Sequence, residues 1–357
     1  MEVYDVAIAG SGPAGAACAI ACAQAGLRVL VLERETFPRE KVCGDCLNPA
    51  CWPILRRLGV AEAVRALPHG TLNAVEFIGV NGARVAVPLP RNEAAEIAVK
   101  RSLFDHALMQ RAGEIGADVR ENVTVTGVSR PNDLWQITSA SEAFHARTLV
   151  AADGRNSSVA RFCGLLPRIE KDRVAIQTHL RLPPDFGAKV VLEFRPEGYS
   201  GQAPVGEDQL NLCLVSTASK LADIRRWAEA RFAIPPGQNW RTITPLSRAP
   251  ISLAAPGLFL VGDAARVVEP LTGEGIYYAI ASGELAASFI FRVVRGENAV
   301  AVGVKYSRAH ARLYRGRLWV NRLARQAVLH PRLASAALRI SGGRPALLGL
   351  LTRKIVQ

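Results

Sequence analysis

The chain has 357 residues, of which 49% are hydrophobic and 21% are charged, and its formal net charge is +13. This length suffices for about two domains of ordinary globular composition. The sequence contains no run of roughly 18 apolar residues that could span a membrane. Its first residues also lack the basic start of a signal peptide, so we expect a cytoplasmic protein.

The first predicted elements form a β-α-β unit. Val3–Ala9 is predicted to be a strand, and Pro13–Ala25 an Ala-rich helix that ends at Gly26. Arg28–Glu33 then has the apolar character of a buried strand. Three such elements in just over thirty residues have the length of a right-handed parallel unit.

A glycine motif, Gly10-Ser11-Gly12-Pro13-Ala14-Gly15, joins the first strand to the first helix. In this context Gly10 makes the tight turn, Gly12 lets backbone amides approach a pyrophosphate, and Gly15 lets helix and strand pack closely. The helix N-terminus favours phosphate charge. Glu33 ends the second strand, near the spacing expected for a carboxylate that binds ribose hydroxyls. The unit predicts a dinucleotide site without separating FAD from NAD.

The later elements indicate an antiparallel layer inserted between parts of the parallel one. The hydrophobic pattern alternates with period two over much of Val174–Val215, as in an antiparallel sheet. Ser102 is predicted to be the N-cap of a helix with Asp105 at its third position. The predicted elements are a hairpin over Ala74–Pro88 that turns at Asn81-Gly82, a helix over Ser102–Ala112, strands at Val119–Val128, Trp135–Thr138 and Thr148–Ala152, a helix over Ala218–Phe232, a strand at Leu258–Val261 and a helix over Ile276–Val294.

Two later stretches, Leu260–Ala265 and Pro270–Ile276, resemble the second flavin signature of the aromatic-hydroxylase (para-hydroxybenzoate hydroxylase-type) and geranylgeranyl-reductase superfamily. The resemblance implies that Asp263 holds the ribityl chain of FAD and that a helix beginning near Gly273 points at the flavin ring. A helix N-terminus there would stabilise the negative charge of a reduced flavin. The stretch around Asp153 resembles the family's D-G-x-x-S motif. Arg101 matches an arginine that contacts the phosphate and ribose region in the family.

The stretch Pro38–Asp45 resembles the P-x-x-K-x-C-G-G motif of geranylgeranyl-reductase-like enzymes, which lies near the flavin ring. Asp45 replaces the last glycine and would put a carboxylate close to the flavin, so Cys43 and Asp45 are the predicted catalytic residues. The family's substrate motif, Tyr-x-Trp-x-Phe-Pro, falls on Tyr199–Pro204, where Gly201 and Ala203 replace the two bulky residues. This replacement favours a bulkier or flatter substrate than a prenyl chain.

The residues predicted to form sites are therefore of two kinds. The predicted cofactor-binding residues are Gly10, Gly12, Pro13, Ala14, Gly15, Glu33, Arg34, Lys41, Cys43, Gly44, Arg101, Val125, Asp153, Gly262, Asp263, Pro270, Gly273, Gly275 and Ile276. The predicted substrate cavity contains Tyr199, Gly201, Ala203 and Pro204. Cys43 and Cys46 form a C-x-x-C pair, but no second Cys/His pair follows, so no metal site is predicted. A redox couple is open for this pair, and we favour a Cys46 that only packs.

The predicted fold class is α/β: a Rossmann-like FAD-binding domain with a parallel sheet and helices, an antiparallel-sheet substrate domain and a helical C-terminal tail. We assign residues 1–65, 97–165 and 250–297 to the FAD-binding domain. Residues 66–96 and 166–249 form the β-rich substrate domain, and residues 298–357 form a basic helical region.

The predicted function is that of an FAD-dependent oxidoreductase that reduces a C=C bond of a small hydrophobic substrate. The alternatives are a monooxygenase that hydroxylates an aromatic or polyketide substrate and a flavin electron carrier at a membrane surface. An NAD-dependent dehydrogenase stays open as a further reading. The halogenase motif Trp-x-Trp-x-Ile-Pro is absent. No second dinucleotide motif occurs, so NAD(P)H would act as a transient reductant, or a separate electron donor would replace it.

The last sixty residues carry almost all of the net charge. They contain twelve Lys and Arg side chains and no Asp or Glu after Glu297. Residues 304–357 could therefore bind an anionic membrane surface or an acidic carrier protein, and the protein would then be peripheral to the membrane. The alternative is that these helices only cover the FAD-binding domain. No recognition motif for nucleic acid accompanies the charge.

Overall fold

The computed structural model describes residues 2–91, 95–166, 173–248, 251, 253–333 and 335–336. The strands are β1 Val3–Ala9, β2 Val29–Leu32, β3 Cys46–Leu47, β4 Gly70–Leu72, β5 Ala74–Ile78, β6 Arg84–Pro88, β7 Glu96–Ala98, β8 Asp118–Arg120, β9 Gly127–Ser129, β10 Trp135–Thr138, β11 Ala143–Ala151, β12 Val174–Arg181, β13 Lys189–Arg195, β14 Gly198–Pro204, β15 Gln209–Ser216, β16 Arg241–Ile243, β17 Ala254–Ala255 and β18 Leu258–Leu260. The helices are α1 Pro13–Gln24, α2 Cys51–Arg57, α3 Ala61–Ala66, α4 Arg101–Glu114, α5 Ser158–Phe162, α6 Leu221–Arg231, α7 Gly262–Ala265, α8 Gly275–Val294, α9 Ala299–Leu313 and α10 Leu318–Leu329.

The first sheet is the parallel core that the N-terminal pattern predicts. Its strand order is β17-β18-β11-β1-β2-β8, and the pairs of β1 with β2 and β11, of β2 with β8 and of β11 with β18 are parallel. Helices α1 and α8 cross over one face so closely that a Cβ at Gly283 would lie 2.2 Å from the carbonyl oxygen of Ala14. The carboxyl ends of β1 and β2 open toward the N-terminus of α1, which is where ligands bind in such sheets.

The second sheet has seven strands in the order β16-β12-β15-β14-β13-β5-β6, and a small third sheet joins β3, β7 and β4. All pairs in the seven-stranded sheet are antiparallel except that of β5 with β13, which is parallel. Helix α6 packs on one face of this sheet through Ile224 and Ala228. The opposite face is turned toward the first sheet, because residues of β12 and β15 contact the loop after β2. The predicted fold class is confirmed, with one parallel pair in the sheet expected to be antiparallel.

Helices α9 and α10 pack on the body of the molecule. The Tyr306 hydroxyl of α9 donates to the carbonyl oxygen of Leu260 at 2.6 Å, and the Asn321 side chain of α10 is buried. A break at Tyr314–Arg317, where Gly316 has φ +80°, separates the two helices within the stretch that composition predicts to be helical. Residues 337–357 of the predicted basic helical region lie outside the described residues.

Two local predictions were wrong. Helix α4 begins at Arg101 with Lys100 as its N-cap and no side-chain cap, because Arg101 and Asp105 pair with each other across the first turn and Ser102 is buried. The predicted strand Val119–Val128 consists of the end of β8 and the start of β9 with irregular chain between them. Among the described residues one helix, α8, has the length and hydropathy to cross a membrane, and half of that stretch is buried within the fold.

Candidate flavin and substrate sites

The glycine motif after β1 has the backbone geometry of a dinucleotide turn. Gly10 has φ +97°, and a Cβ at Gly15 would lie 1.9 Å from the carbonyl oxygen of Gly10. The atom nearest to a Cβ at Gly12 would be Arg39 Nη2, at 3.6 Å. Pro13 and Ala14 form the buried first turn of α1. The N-terminus of α1 is therefore open to an anionic group that a guanidinium can also reach.

Glu33, at the end of β2, lies beside this turn. Its Oε2 accepts hydrogen bonds from the Ser11 backbone nitrogen at 2.8 Å and from the Ser11 hydroxyl at 3.0 Å. Arg34 is mostly exposed and forms an ion pair with Glu35 at 3.2 Å. Val125 is half-buried in the irregular chain between β8 and β9, packed against the parallel sheet.

A cluster of cations stands next to the motif. Arg101 pairs in a two-pronged way with Asp105 at 2.7 Å, and Arg39 reaches the same carboxylate at 2.9 Å. Burial, followed by repulsion from Arg101 and Arg39, lowers the pKa of Lys41 to about 8. Asp105 thus pairs with two guanidinium groups, and the Lys41 amine lies near both of them, which leaves a positive surplus for a diphosphate.

A second group of charged residues begins just after the end of β11. Asp153 caps α5, because its Oδ2 accepts from the backbone nitrogens of Ser158 and Val159 at 2.6 and 3.1 Å. Arg155 donates to Asp263 Oδ2 at 2.8 Å. Asp153 therefore has a local capping role. Arg155 holds the half-buried Asp263 carboxylate in place.

The glycine-rich stretch before α8 forms a tight turn in front of a helix N-terminus. Gly262 has φ +56°, and a Cβ there would lie 2.8 Å from that of Ala14. Pro270 begins a 3-10 turn that ends at Gly273 with φ +67°, and Gly275 and the buried Ile276 start α8. A helix N-terminus at this position is suited to an anionic partner, as the sequence predicts.

Three comparisons with known proteins place the chain. Residues 3–194 match a family described as "FAD binding domain". A menaquinone reductase of Mycolicibacterium smegmatis is 31% identical over 80% of this chain and 76% of its own length. A digeranylgeranylglycerophospholipid reductase of Thermoplasma acidophilum is 28% identical over 80% of this chain and 78% of its own length. Conditioned medium factor receptor 1 of Dictyostelium discoideum is 30% identical over 80% of this chain, which spans 63% of that protein.

The solved structure of the flavin-dependent brominase Bmp2 has a TM-score of 0.83 at 24% identity and covers 99% of this chain and 94% of its own, which is a likeness of fold. The chain belongs to the FAD-binding domain family and is an FAD-dependent oxidoreductase.

The residues of this flavoprotein fit the cofactor. The turn at Gly10–Gly15 leaves room for a diphosphate, the Arg39–Lys41–Arg101 cluster supplies positive charge, and Glu33 lies where a ribose would be held. Once bound, FAD supplies electron transfer through its isoalloxazine ring, and the protein supplies orientation and charge.

The loop that carries Cys43 and Asp45 lies on the inner face of the seven-stranded sheet. The Cys43 nitrogen donates to Gln177 Oε1 at 3.3 Å, and its carbonyl oxygen accepts from Asn211 Nδ2 at 2.9 Å and from Cys213 Sγ at 3.0 Å. Burial raises the pKa of the Cys43 thiol, which keeps it protonated at neutral pH. Gly44 is exposed, and a Cβ there would meet no atom within 4 Å.

Asp45 is the chemically unusual residue of this loop. It has φ +61°, its side chain is fully buried, and burial raises the pKa of its carboxyl group. Its Oδ2 lies 3.1 Å from His179 Nε2 and 3.4 Å from Gln177 Nε2, while its buried Oδ1 has no hydrogen-bond partner among the described residues. A buried acid held by a histidine on one oxygen and free on the other can give a proton to a bound molecule.

The predicted substrate residues Tyr199, Gly201 and Ala203 share the inner face of β14. Gly201 is opposite Cys213 and Ala203 is opposite Asn211 in the strand register, so these small residues lie beside the polar cluster around Asp45. A Cβ at Gly201 would meet only Leu192, at 3.7 Å. Pro204, the next residue on the strand, alternates to the opposite face. The structure therefore brings three of the four together.

Sequence reasoning missed Arg39, Arg155, Gln177 and His179. Arg39 falls on a variable position of the loop motif, and Arg155 on a variable position after Asp153. Gln177 and His179 alternate with the apolar residues of β12, so two polar side chains on the inner face of a buried strand were the signal that could have found them. Within the residues that the structure describes, no group of three His, Cys, Asp or Glu side chains could hold a metal ion.

Proposed function

We propose that this flavoenzyme reduces a carbon–carbon double bond of a hydrophobic, isoprenoid-type substrate that also carries a bulky or flat group, bound between the flavin and the inner face of the seven-stranded sheet. Support comes from the fully buried Asp45 carboxyl, placed on the loop that resembles the flavin-facing loop of geranylgeranyl-reductase-like enzymes and directed at that sheet. Two of the similar proteins are named as reductases of menaquinone and of a geranylgeranyl lipid. Such substrates lie in membranes, so the enzyme would act as a cytoplasmic protein at a membrane surface.

The wall that faces the substrate combines apolar and small residues. Tyr199 belongs to a buried cluster with Phe194, Val215 and Val85. Gly201 leaves space on this face, because a Cβ there would meet only Leu192 at 3.7 Å, whereas Ala203 is buried in a second apolar cluster with Leu72 and Val190. This arrangement suits a substrate with a flat or branched apolar group, because apolar walls give affinity and the absent side chains give width.

The reaction needs a hydride for one carbon of the double bond and a proton for the other. FAD, when bound and reduced, supplies the hydride. Asp45 supplies the proton from its carboxyl group, and its burial keeps that group protonated at a higher pH than a solvated aspartic acid. The C=C bond becomes a C–C single bond with two new C–H bonds, and Asp45 is left as a carboxylate.

His179 returns the proton to Asp45. Its Nε2 is 3.1 Å from Asp45 Oδ2, and the residue also lines an open cleft of 560 Å³ on the surface of the protein. The charged side chains of the cleft are Glu40, Lys100, Arg181, Glu207, Asp208 and Arg241. Asp45 itself is also near Cys43 and Arg101. A histidine between solvent and a buried acid is the usual side chain for moving a proton near neutral pH.

Electrons would arrive from NAD(P)H during a transient visit or from a separate donor. The described residues contain one dinucleotide turn, at Gly10–Gly15, and FAD occupies it under this proposal. Adding NADPH, NADH or dithionite to the purified protein and recording which of them reduces the flavin distinguishes NAD(P)H from a separate donor.

The test is anaerobic turnover. The purified FAD-bound protein is reduced with light and mixed, without oxygen, with menaquinone or with a geranylgeranyl lipid in detergent. We expect the oxidised flavin spectrum to return and the product to keep two added hydrogens in its mass spectrum after air has reoxidised any quinol, because a reduced C=C bond retains them. Turnover that requires oxygen and gives a hydroxylated product would show that the enzyme is a monooxygenase, and reoxidation with neither product would indicate an electron carrier.

Variants of the proton path sharpen the test. Asp45→Asn should reduce kcat by about a hundredfold to ten-thousandfold without loss of FAD. His179→Gln should reduce kcat less, leave KM unchanged and recover with added imidazole. In the wild type kcat should fall as the pH rises through the pKa of the Asp45 donor. Asp208→Asn, in the same cleft, is the matched control and should behave as wild type. Full turnover by Asp45→Asn would remove Asp45 from the reaction.

A further inference from the structure

The turn before α8 has a buried acidic residue at each end. Glu269 is 6% exposed, and Glu274 is fully buried. Between them Pro270–Thr272 form a 3-10 turn, and Gly273 follows with φ +67°. We call residues 269–274 the α8 turn. Buried carboxylates are costly unless other groups pair with them, so the partners of Glu269 and Glu274 show what holds this turn.

The Glu269 end of the α8 turn is attached to the seven-stranded sheet. Arg173, directly before β12, donates to Glu269 Oε1 at 3.1 Å and to Oε2 at 2.8 Å, and both side chains are almost inaccessible to solvent. Thr272 Oγ1 donates to the Glu269 carbonyl oxygen at 3.0 Å. This end of the turn is therefore fixed to the sheet that carries the predicted substrate residues.

The Glu274 end of the α8 turn is attached to α10. Glu274 Oε1 accepts from the Tyr278 hydroxyl at 3.1 Å and from Arg317 Nη1 at 3.4 Å. Its Oε2 accepts from Asn321 Nδ2 at 2.8 Å. Burial raises the pKa of Glu274, and the hydrogen bond from Asn321 and the charge of Arg317 oppose that rise. Helix α10 thus supplies two of the groups that stabilise this carboxylate.

Asn321 also joins the two ends of the α8 turn. While its Nδ2 donates to Glu274, its Oδ1 accepts from the Glu269 backbone nitrogen at 3.1 Å. The opposite orientation of the amide would set its oxygen against the carboxylate and its NH2 group against the backbone N–H, so the two neighbours define this orientation. One buried amide on α10 therefore closes the turn from end to end.

The backbone of the α8 turn is open at its glycines. A Cβ at Gly273 or at Gly275 would meet no atom within 4 Å, and Gly275 is exposed. The first backbone N–H groups of α8 have no acceptor within the helix and form the positive end of its dipole. The flavin signature implies that the isoalloxazine ring of FAD lies in front of this N-terminus. The distance from the ring to these N–H groups then depends on the shape of the turn.

We propose that Asn321 is a positioning residue of the flavin site, because it fixes the α8 turn and with it the helix N-terminus that stabilises the reduced ring. The stabilisation of negative charge by a helix N-terminus falls off within about one helical turn, so a small shift of α8 changes how easily the flavin is reduced. Without Asn321 the Glu269 N–H and the Glu274 carboxylate would each lose a buried partner, and the turn would rearrange to satisfy them. This role requires bound FAD and is the same in a reductase and in a monooxygenase.

The reduction potential of the bound FAD tests this role. The wild type, Asn321→Leu and Asn321→Ala are saturated with FAD and titrated with dithionite, without oxygen, against a reference dye. Both substitutions keep the net charge, so a changed charge at position 321 cannot shift the potential. We expect the preference for reduced over oxidised FAD to fall about tenfold in both variants, which is about 30 mV for a two-electron couple.

Val320→Ala is the matched control on the same helix. Val320 is 5% exposed, and the loss of its two methyl groups should loosen α10 without removing a hydrogen bond to the α8 turn. Thermal unfolding should show Val320→Ala and Asn321→Ala to be less stable than the wild type, whereas only the Asn321 variants should have a lower potential.

A wild-type potential in both Asn321 variants, or an equal fall in Val320→Ala, would show that Asn321 only attaches α10 to the rest of the protein. Failure of both Asn321 variants to fold would assign Asn321 to stability alone and would also overturn its role in the flavin site.

Discussion

The two sheets differ in the charge of the side chains that lie beside them. Around the parallel sheet the site has a surplus of cations, because Arg39 and Arg101 share Asp105 and Lys41 lies near both arginines. On the inner face of the antiparallel sheet a buried carboxyl, Asp45, meets neutral polar groups and His179. Under the proposed function the first arrangement would hold the diphosphate of FAD, and the second would supply a proton to the substrate.

The comparison also shows two kinds of dependence on sequence. The cofactor side depends on backbone geometry, so a single added methyl group can destroy it. The substrate side depends on side chains that meet through strand register, so it can change its residues while the sheet stays intact. Gly201 and Ala203, in place of bulky residues, illustrate that freedom.

The largest expected effect comes from Gly15→Ala, which tests the backbone dependence of the cofactor side. The new Cβ would lie 1.9 Å from the carbonyl oxygen of Gly10, a backbone atom that cannot rotate away. We expect a loss of about 3 kcal/mol in the free energy of unfolding and a fall of roughly a hundredfold in FAD affinity. Thermal unfolding and flavin titration measure the two effects.

Gly113→Ala in α4 is the control, because a Cβ there meets no atom within 4 Å. It should leave FAD binding unchanged and stabilise the helix by about 0.5–1 kcal/mol. Wild-type FAD affinity in Gly15→Ala would contradict the role given to this turn.

Prediction from sequence succeeded where the determinants are local. Gly10, Gly12, Gly15 and Glu33 lie within one β-α-β unit, and their spacing alone implies the turn. The hairpin at Asn81-Gly82 was predicted for the same reason, and its turn forms with Gly82 at φ +79°.

Prediction failed where residues far apart in sequence determine the site. Asp45 and His179 are separated by 134 positions, and only the pairing of β12 with β15 brings His179 onto the face that the loop contacts. This contact does not follow from propensity or periodicity, because it depends on how the two sheets face each other.

A smaller effect is expected for Asp263→Ala, which removes the acid that the flavin signature assigns to the ribityl chain. Loss of a charge-assisted hydrogen bond costs about 1.5–3 kcal/mol, or roughly tenfold to a hundredfold in FAD affinity. Asp263→Asn keeps the side-chain shape and should lose less. Equal FAD affinity in both variants and the wild type would mean that Asp263 serves only its partner Arg155.

The smallest expected effect is a pH dependence of FAD binding that arises from Lys41. Burial and neighbouring cations lower the pKa of Lys41 to about 8 from 10.5, so the FAD-free protein loses this charge as the pH rises through about 8. The unfolded chain keeps the proton up to higher pH, so Lys41 makes the FAD-free protein more stable as the pH rises from about 8 toward 10.5.

The diphosphate has the opposite preference, because its negative charges favour a protonated Lys41. FAD binding should therefore take up a proton in this window, and affinity should fall by roughly tenfold from neutral pH to about two units higher. Calorimetry in two buffers of different ionisation enthalpy measures the proton uptake. Lys41→Met should abolish it, whereas Lys220→Met, at an exposed position, should not. Proton uptake that persists in Lys41→Met would locate the titrating group elsewhere and weaken the contrast between a cationic cofactor side and an acidic substrate side.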